Sequence, residues 1–258
     1  MLKGRRAERV KQQALVVKQK VPEHDKLRRA FEVASEKGAS AVFSARPVEE
    51  YGFAFRSKRD FRDLLELRYV MPISFLPLKC ACGAAFTVDH SQICKKGGFI
   101  SHRHNEMEVL WAQECKKVFA DVGLEPHLQP LEGEELRGIV SDEARSDVRV
   151  RGFWGKWKNA FFDFRVFYPH ATSYAYPKNL ASGYRKHSQD KRREYSERVE
   201  QVEAGSFTPM IMSSTGGLGP EMSVAVKYLA SKIAAKEGSQ YSRAVDVLRC
   251  KFSFAAFV

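Results

Sequence analysis

The chain has 258 residues, 44% hydrophobic and 12% aromatic, enough to form a packed core and too apolar for an intrinsically disordered protein. A formal charge of +12 points to a polyanionic partner, nucleic acid above all. No apolar run approaches the roughly 20 residues of a membrane span, and the basic start Met1-Leu2-Lys3-Gly4-Arg5-Arg6 lacks the apolar core of a secretory signal, so a membrane role and secretion are not expected.

Residues 1–35 are rich in Lys and Arg and read as helix without a strong apolar stripe, a solvated or nucleic-acid-contacting arm. Gly38, Pro47 and Pro72 punctuate the stretch 36–79. Within it Phe61, Leu64, Leu65 and Tyr69 recur at helical spacing, with Leu67 off the stripe. The span 1–79 is thus a helical, basic N-terminal extension.

A short, loop-rich module follows over 80–103. The chain has five cysteines, and three of them fall between Cys80 and Cys94 beside a histidine. That distribution suits a reducing compartment and a metal site rather than a disulfide framework. Cys80, Cys82, His90 and Cys94 supply three thiols and one imidazole, a donor set that matches tetrahedral Zn²⁺. Gly83 lets the chain turn after the first pair, and Asp89 is placed to orient His90. His102 and His104 are rival ligands, whereas Cys115 and Cys250 sit on apolar helical positions and read as core.

Residues 104–119 form an amphipathic helix closed by Gly123, with Val109, Ala112, Cys115 and Phe119 on its expected buried face. A strand over 127–131 and an acidic linker over 132–143 come next. Then Asp147-Val148-Arg149-Val150-Arg151 and Ala160-Phe161-Phe162-Asp163-Phe164-Arg165-Val166 flank a turn at Gly155. Residue 155 is the midpoint of 147 and 163, so a symmetric hairpin sets Asp147 opposite Asp163, with Cβ atoms about 5 Å apart. Alternation sends Val148, Val150, Phe162, Phe164 and Val166 to one face and Asp147, Arg149, Asp163 and Arg165 to the other. Facing carboxylates repel unless something lies between them, and Mg²⁺ or Mn²⁺ is the simplest answer.

A highly charged helix over 187–204, a strand over 207–213 and helices over 220–236 and 240–252 complete the chain. From His104 the order is helix, three strands, helix, strand.

Hydrolysis of a phosphodiester requires a metal to generate hydroxide and to stabilise charge on the phosphoryl oxygens. Asp147 and Asp163 fit that requirement. Arg165, two residues after Asp163, can clamp phosphate but is a poor proton acceptor. Lys191 and Tyr195 lie one turn apart on the charged helix, so both can reach the same site.

From about residue 30 onward these motifs, with Lys95-Lys96-Gly97-Gly98-Phe99, Arg103-His104-Asn105, Arg151-Gly152-Phe153-Trp154 and Gly205-Ser206-Phe207-Thr208-Pro209, resemble the region after the polymerase domain in non-LTR retrotransposons that carry a restriction-like endonuclease. The resemblance implies an α/β (α+β) fold: a small CCHC zinc-binding module over 80–103 and a PD-(D/E)xK-type αβββαβ core over 104–258. It implies metal-dependent nicking of DNA, with Asp147 and Asp163 as Mg²⁺ ligands, Glu106 as an outer ligand, Lys191 as a displaced catalytic lysine and Tyr195 assisting. DNA, or the element's own RNA, is the implied partner, and the nucleus the implied place of action. Two departures stand out: Asp147 follows Ser146 rather than proline, and the acidic-x-lysine triplet is Asp163-Phe164-Arg165. Residues 1–80 carry no polymerase signature, so the chain is expected to be a detached C-terminal piece. A catalytically silent nucleic-acid-binding protein is the alternative.

Overall fold

The structure, a computed structural model, describes residues 26–39, 41–44, 57–96, 99–129, 144–174 and 179–257, together with Gln12. Residues 1–11 and 13–25 of the expected arm over 1–35, the acidic linker 132–143 and residues 130–131 of the expected 127–131 strand lie outside the described residues. Among the described residues no helix is long and apolar enough to cross a membrane.

The centre of the fold is a four-stranded mixed sheet in the order β1-β2-β3-β4: β1 (Val122–Leu124), β2 (Val148–Arg151), β3 (Asn159–Phe167) and β4 (Ser206–Ser213). The first two pairings are antiparallel and β3–β4 is parallel. A parallel neighbour requires a crossover, supplied here by one long helix, α6 (Leu180–Gln201). The other helices are α1 (Lys26–Ala34), α2 (Ala41–Ser44), α3 (Lys58–Arg68), α4 (Val88–Ile93), α5 (Phe99–Lys116), α7 (Pro220–Glu237) and α8 (Tyr241–Phe257). The order from α5 onward is the helix, three strands, helix and strand expected from periodicity.

Alternation along β3 explains the layering. Ala160, Phe162 and Phe164 join Val148 and Val150 in a core roofed by α5, α7 and α8. Phe161 and Phe167, on the opposite side, pack on α6 through Tyr195, Val199, Leu180 and Tyr184. Both faces of β3 are therefore covered, and Asp163 is 2% exposed rather than facing water. Trp111 of α5 is the hub of the first core, its ring 5.1 Å from Phe162, 5.6 Å from Phe153 and 6.0 Å from Phe252. Such aromatic pairs contribute about 0.5–1.5 kcal/mol each beyond the area they bury.

Several expected details shift. The helix α5 begins at Phe99; Ala112 and Cys115 are buried as expected, together with Met107, Glu108 and Trp111, but Val109 is exposed. The strand expected over 127–131 is preceded by β1 and survives as a bridge between His127 and Arg145. Phe61 is exposed at the edge of α3, and its ring lies 6.0 Å from that of Phe43. Residues 26–39 and 41–44 lie against the core: Leu218 donates its N–H to the Lys37 carbonyl, and Cys250 donates its thiol to the Ala41 carbonyl.

Gly205 brings β4 against β3. A Cβ there would lie 2.9 Å from the Asn159 carbonyl oxygen and 2.9 Å from the Phe161 ring. The carbonyl belongs to the strand and cannot retreat cheaply. Gly205→Ala is expected to cost about 2 kcal/mol, read as a lower denaturant midpoint with an unchanged slope.

Candidate functional site

Among the described residues, two groups of side chains have the composition and spacing of metal centres. The first is the cysteine module. Cys80, Cys82, His90 and Cys94 place one donor atom each within 4.8 Å of the others. Cys80 Sγ lies 3.7 Å from Cys94 Sγ, and Cys82 Sγ lies 3.1 Å from His90 Nε2. Local rules build this cage. Gly83 adopts a left-handed φ of +88°, and its N–H returns to the Cys80 carbonyl at 2.8 Å. Thr87 caps α4 by accepting the N–H of His90 at 3.0 Å, and Cys94 closes the same helix. Three thiols and an imidazole could hold Zn²⁺ in the closed geometry of a structural site.

The rival histidines go elsewhere. His102 faces Glu106 at 3.9 Å on the exposed side of α5, and His104 reaches Asp147. Asp89, expected to orient His90, instead tethers the module: its carboxylate accepts from the Tyr168 hydroxyl at 2.6 Å and pairs with Lys26 at 2.6 Å. Arg103 fastens the start of α5 to the same module by donating to the Gln92 carbonyl at 2.9 Å.

The second group sits where α5 meets the hairpin. The β2–β3 register pairs Val148 with Phe162, and one step further sets Asp147 against Asp163, as the symmetric turn requires. Ser146 donates its hydroxyl to the Phe162 carbonyl at 2.9 Å and fixes the approach to β2. One oxygen of Asp147 accepts the N–H of Phe164, and the other lies 3.2 Å from His104 Nε2. His104, Glu108 and Asp147 have ligand atoms mutually within 4.8 Å and could hold a metal ion. Glu106, expected as an outer ligand, is not in this group; Glu108 on the buried side is.

Asp163 is not among those three. Its carboxylate is ion-paired with Lys191 Nζ at 2.6 Å, and Lys191 lies 5.3 Å from the centre of the Tyr195 ring. Burial, then the neighbouring Asp147 charge, pushes Asp163 up to about 7. Glu108 is pushed up to about 7 by burial, then by Asp147 and Glu125. The hydrogen bond to Asp147 raises His104. Burial raises the Tyr195 phenol well above its ordinary value, so it acts as a neutral platform under Lys191 rather than as a proton donor to solvent. Arg165 is exposed and, with Lys191, His104, Lys95 and Tyr174, lines a groove of about 770 Å³ between the cysteine module and the end of β3.

Composition could have revealed Glu108. It stands four residues after His104 and three before Trp111, on the stripe that ends at Cys115. The expected buried face held Ala112 and Cys115 correctly but took Val109 in place of Glu108.

Buried carboxylates whose folded-state values exceed their unfolded ones favour folding at low pH, and the advantage fades as pH rises through about 7. Glu108→Gln is therefore expected to raise the melting midpoint of the divalent-free protein at pH 8, by about 2 °C or more, and to make little difference at pH 5. Thermal melts at the two pH values, without chelator so that the cysteine module is left alone, check this.

Neither a family model nor a curated protein matches this sequence. The chemical case rests on the residues themselves.

Proposed function

We propose that the chain is a metal-dependent DNA endonuclease of restriction-like type and retrotransposon origin. The observation that carries the reading is a buried carboxylate on the central strand, Asp163, paired at 2.6 Å with an amine delivered by the next helix, Lys191, beside Asp147. A surface salt bridge needs no such burial, and burying both partners is costly unless the pair has work to do.

The donor set suits a divalent ion. Asp147 and Glu108 offer hard oxygens fit for Mg²⁺, and the His104 imidazole tolerates Mn²⁺ as well. Asp147, Glu108 and His104 would hold the ion, with the Asp163 charge beside them; when bound, the ion supplies a hydroxide nucleophile and neutralises phosphoryl charge. The protein does the remainder. Lys191 orients the attacking water through its ammonium, held in place by Asp163 and the Tyr195 ring. Arg165 grips a phosphate from the groove wall. His104, held by Asp147, keeps that carboxylate oriented. Cys80, Cys82, His90 and Cys94 would hold Zn²⁺ and lend the module rigidity. DNA is the substrate, with the element's RNA as a second partner, and action on a chromosomal substrate places the protein in the nucleus.

The triplet Asp163-Phe164-Arg165 favours a second reading, a silent nucleic-acid-binding protein, because the usual lysine position is an exposed arginine. Incubation with supercoiled plasmid separates the two. Nicking with Mg²⁺ or Mn²⁺ and none without them is expected; binding without nicking would favour the second.

A further inference from the structure

The β2–β3 turn lies at the far end of the hairpin from the carboxylates and takes no part in the site described. The stretch 148–162 carries Arg149, Arg151, Lys156 and Lys158 and neither Asp nor Glu. Arg149 is engaged by Asp121 at 2.5 Å. Arg151, Lys156 and Lys158 make no ion pair among the described residues. Between them stands Trp157, 72% exposed, with the Arg151 guanidinium 5.9 Å and the Lys156 ammonium 5.6 Å from its ring centre.

The backbone gives a second, independent observation. Trp157 has φ +71°, a left-handed conformation in which a bulky side chain is strained and glycine is relaxed. A large aromatic is thus held in water at a position where it lowers stability, a pattern that accompanies binding and switching sites. The platform beneath it is firm. Trp154 donates its indole N–H to the Thr208 hydroxyl at 2.9 Å and packs on Tyr228 at 5.1 Å, and Phe153 is fully buried against Trp111. Lys232 lies 5.1 Å from the Tyr228 ring and adds another cation to this end of the molecule.

We propose that this turn docks an unpaired DNA strand, with a base stacked on Trp157 and the flanking phosphates held by Arg151, Lys156 and Lys158. An indole accepts any base face, and cations with no ion-pair partner among the described residues match a phosphate backbone. Asn159 and Asp163 lie four steps apart on β3, about 14 Å at the usual strand rise. Trp157 lies in the turn before Asn159, so the docked base sits beyond that span, at the opposite end of the hairpin from the carboxylates. The assignment depends on the exposed ring and the charge around it, and it holds for a silent binder as well as for a nuclease.

The test is fluorescence anisotropy in buffer free of divalent ions, so that nothing is cleaved. The probes are a labelled DNA strand of about 12 nucleotides, the RNA strand of the same sequence and the blunt DNA duplex. Trp157→Ala and Trp157→Gly are expected to weaken binding of the DNA strand about tenfold or more, and Trp157→Phe less than about threefold. Replacing Arg151, Lys156 and Lys158 together by Ala is expected to lower the logarithmic salt slope by about 2. Trp157→Gly should melt at or above the wild-type midpoint, which separates lost stacking from lost fold; a lower midpoint would overturn the argument from strain. Equal affinity of Trp157→Ala and wild type for the DNA strand overturns the proposal. So does a loss confined to RNA, or a loss equally large for the duplex. Absence of plasmid nicking leaves it standing, since no arm reads cleavage.

Discussion

Asp163→Asn is expected to reduce Mg²⁺-dependent nicking at least about 1,000-fold while leaving DNA affinity in divalent-free buffer within about threefold of wild type. The amide keeps the volume and an oxygen for Lys191 to donate to, so the helix crossing stays in place. What disappears is the negative charge that a divalent ion and the Lys191 ammonium share. The pH dependence carries a sign that follows from burial. Asp163 is pushed up to about 7 in the absence of an ion, so the ionised form needed at the site accumulates as pH rises through neutrality. Nicking should therefore increase from pH 6 to pH 8. A cation in the site opposes that shift, and the midpoint of the pH profile should move to lower pH as Mg²⁺ is raised. Plasmid nicking across a grid of pH and Mg²⁺ reads both effects. A variant that nicks at the wild-type rate would remove Asp163 from the chemistry.

Removing the ion from the cysteine module should have the largest effect on the fold. Purified protein is expected to hold about one zinc per chain. Chelation, or Cys80→Ser with Cys94→Ser, should make the 80–96 segment sensitive to protease within minutes, because little apolar burial supports it: Cys80 and Cys94 are its buried members. The damage should spread along two ties. Asp89 holds Tyr168 and Lys26, and Arg103 holds Gln92, so loosening the module frees the entrance of the groove and the first turn of α5. Metal analysis paired with limited proteolysis is the measurement. No zinc, and identical cleavage before and after chelation, would leave the module as three ordinary cysteines and a histidine.

Much of the order of elements was legible because β2, β3, β4 and most helices carry their own periodicity; β1, three residues around Gly123, was missed, and the strand expected over 127–131 is a bridge. The hairpin register was legible too: the chain around Gly155 is symmetric, and β2 pairs with β3 as that symmetry demands. The phase of α5 was legible in part: Ala112 and Cys115 are buried and Phe119 packs on the core as their spacing implies, while Val109 does not. Val109 looks like a core residue, yet the stripe that packs on the sheet runs through Met107, Trp111 and Cys115, and it carries Glu108 inward with it. A charged residue on a buried stripe is invisible to a hydrophobic pattern. The start of α6 was missed for the opposite reason. The charged run from His187 dominates the helix, while Leu180 and Tyr184 are held by Phe167 and Ile211, contacts that no local pattern reveals.

The two prospective ion sites are joined by a single rod. The helix that opens beside the cysteines, pinned there by Arg103, carries His104 one position later and Glu108 one turn beyond. Whatever oxidises those thiols would therefore rotate or fray the same rod on which the carboxylate site depends. Redox chemistry at one end would register as lost activity at the other, so a reductant belongs in every preparation of this protein.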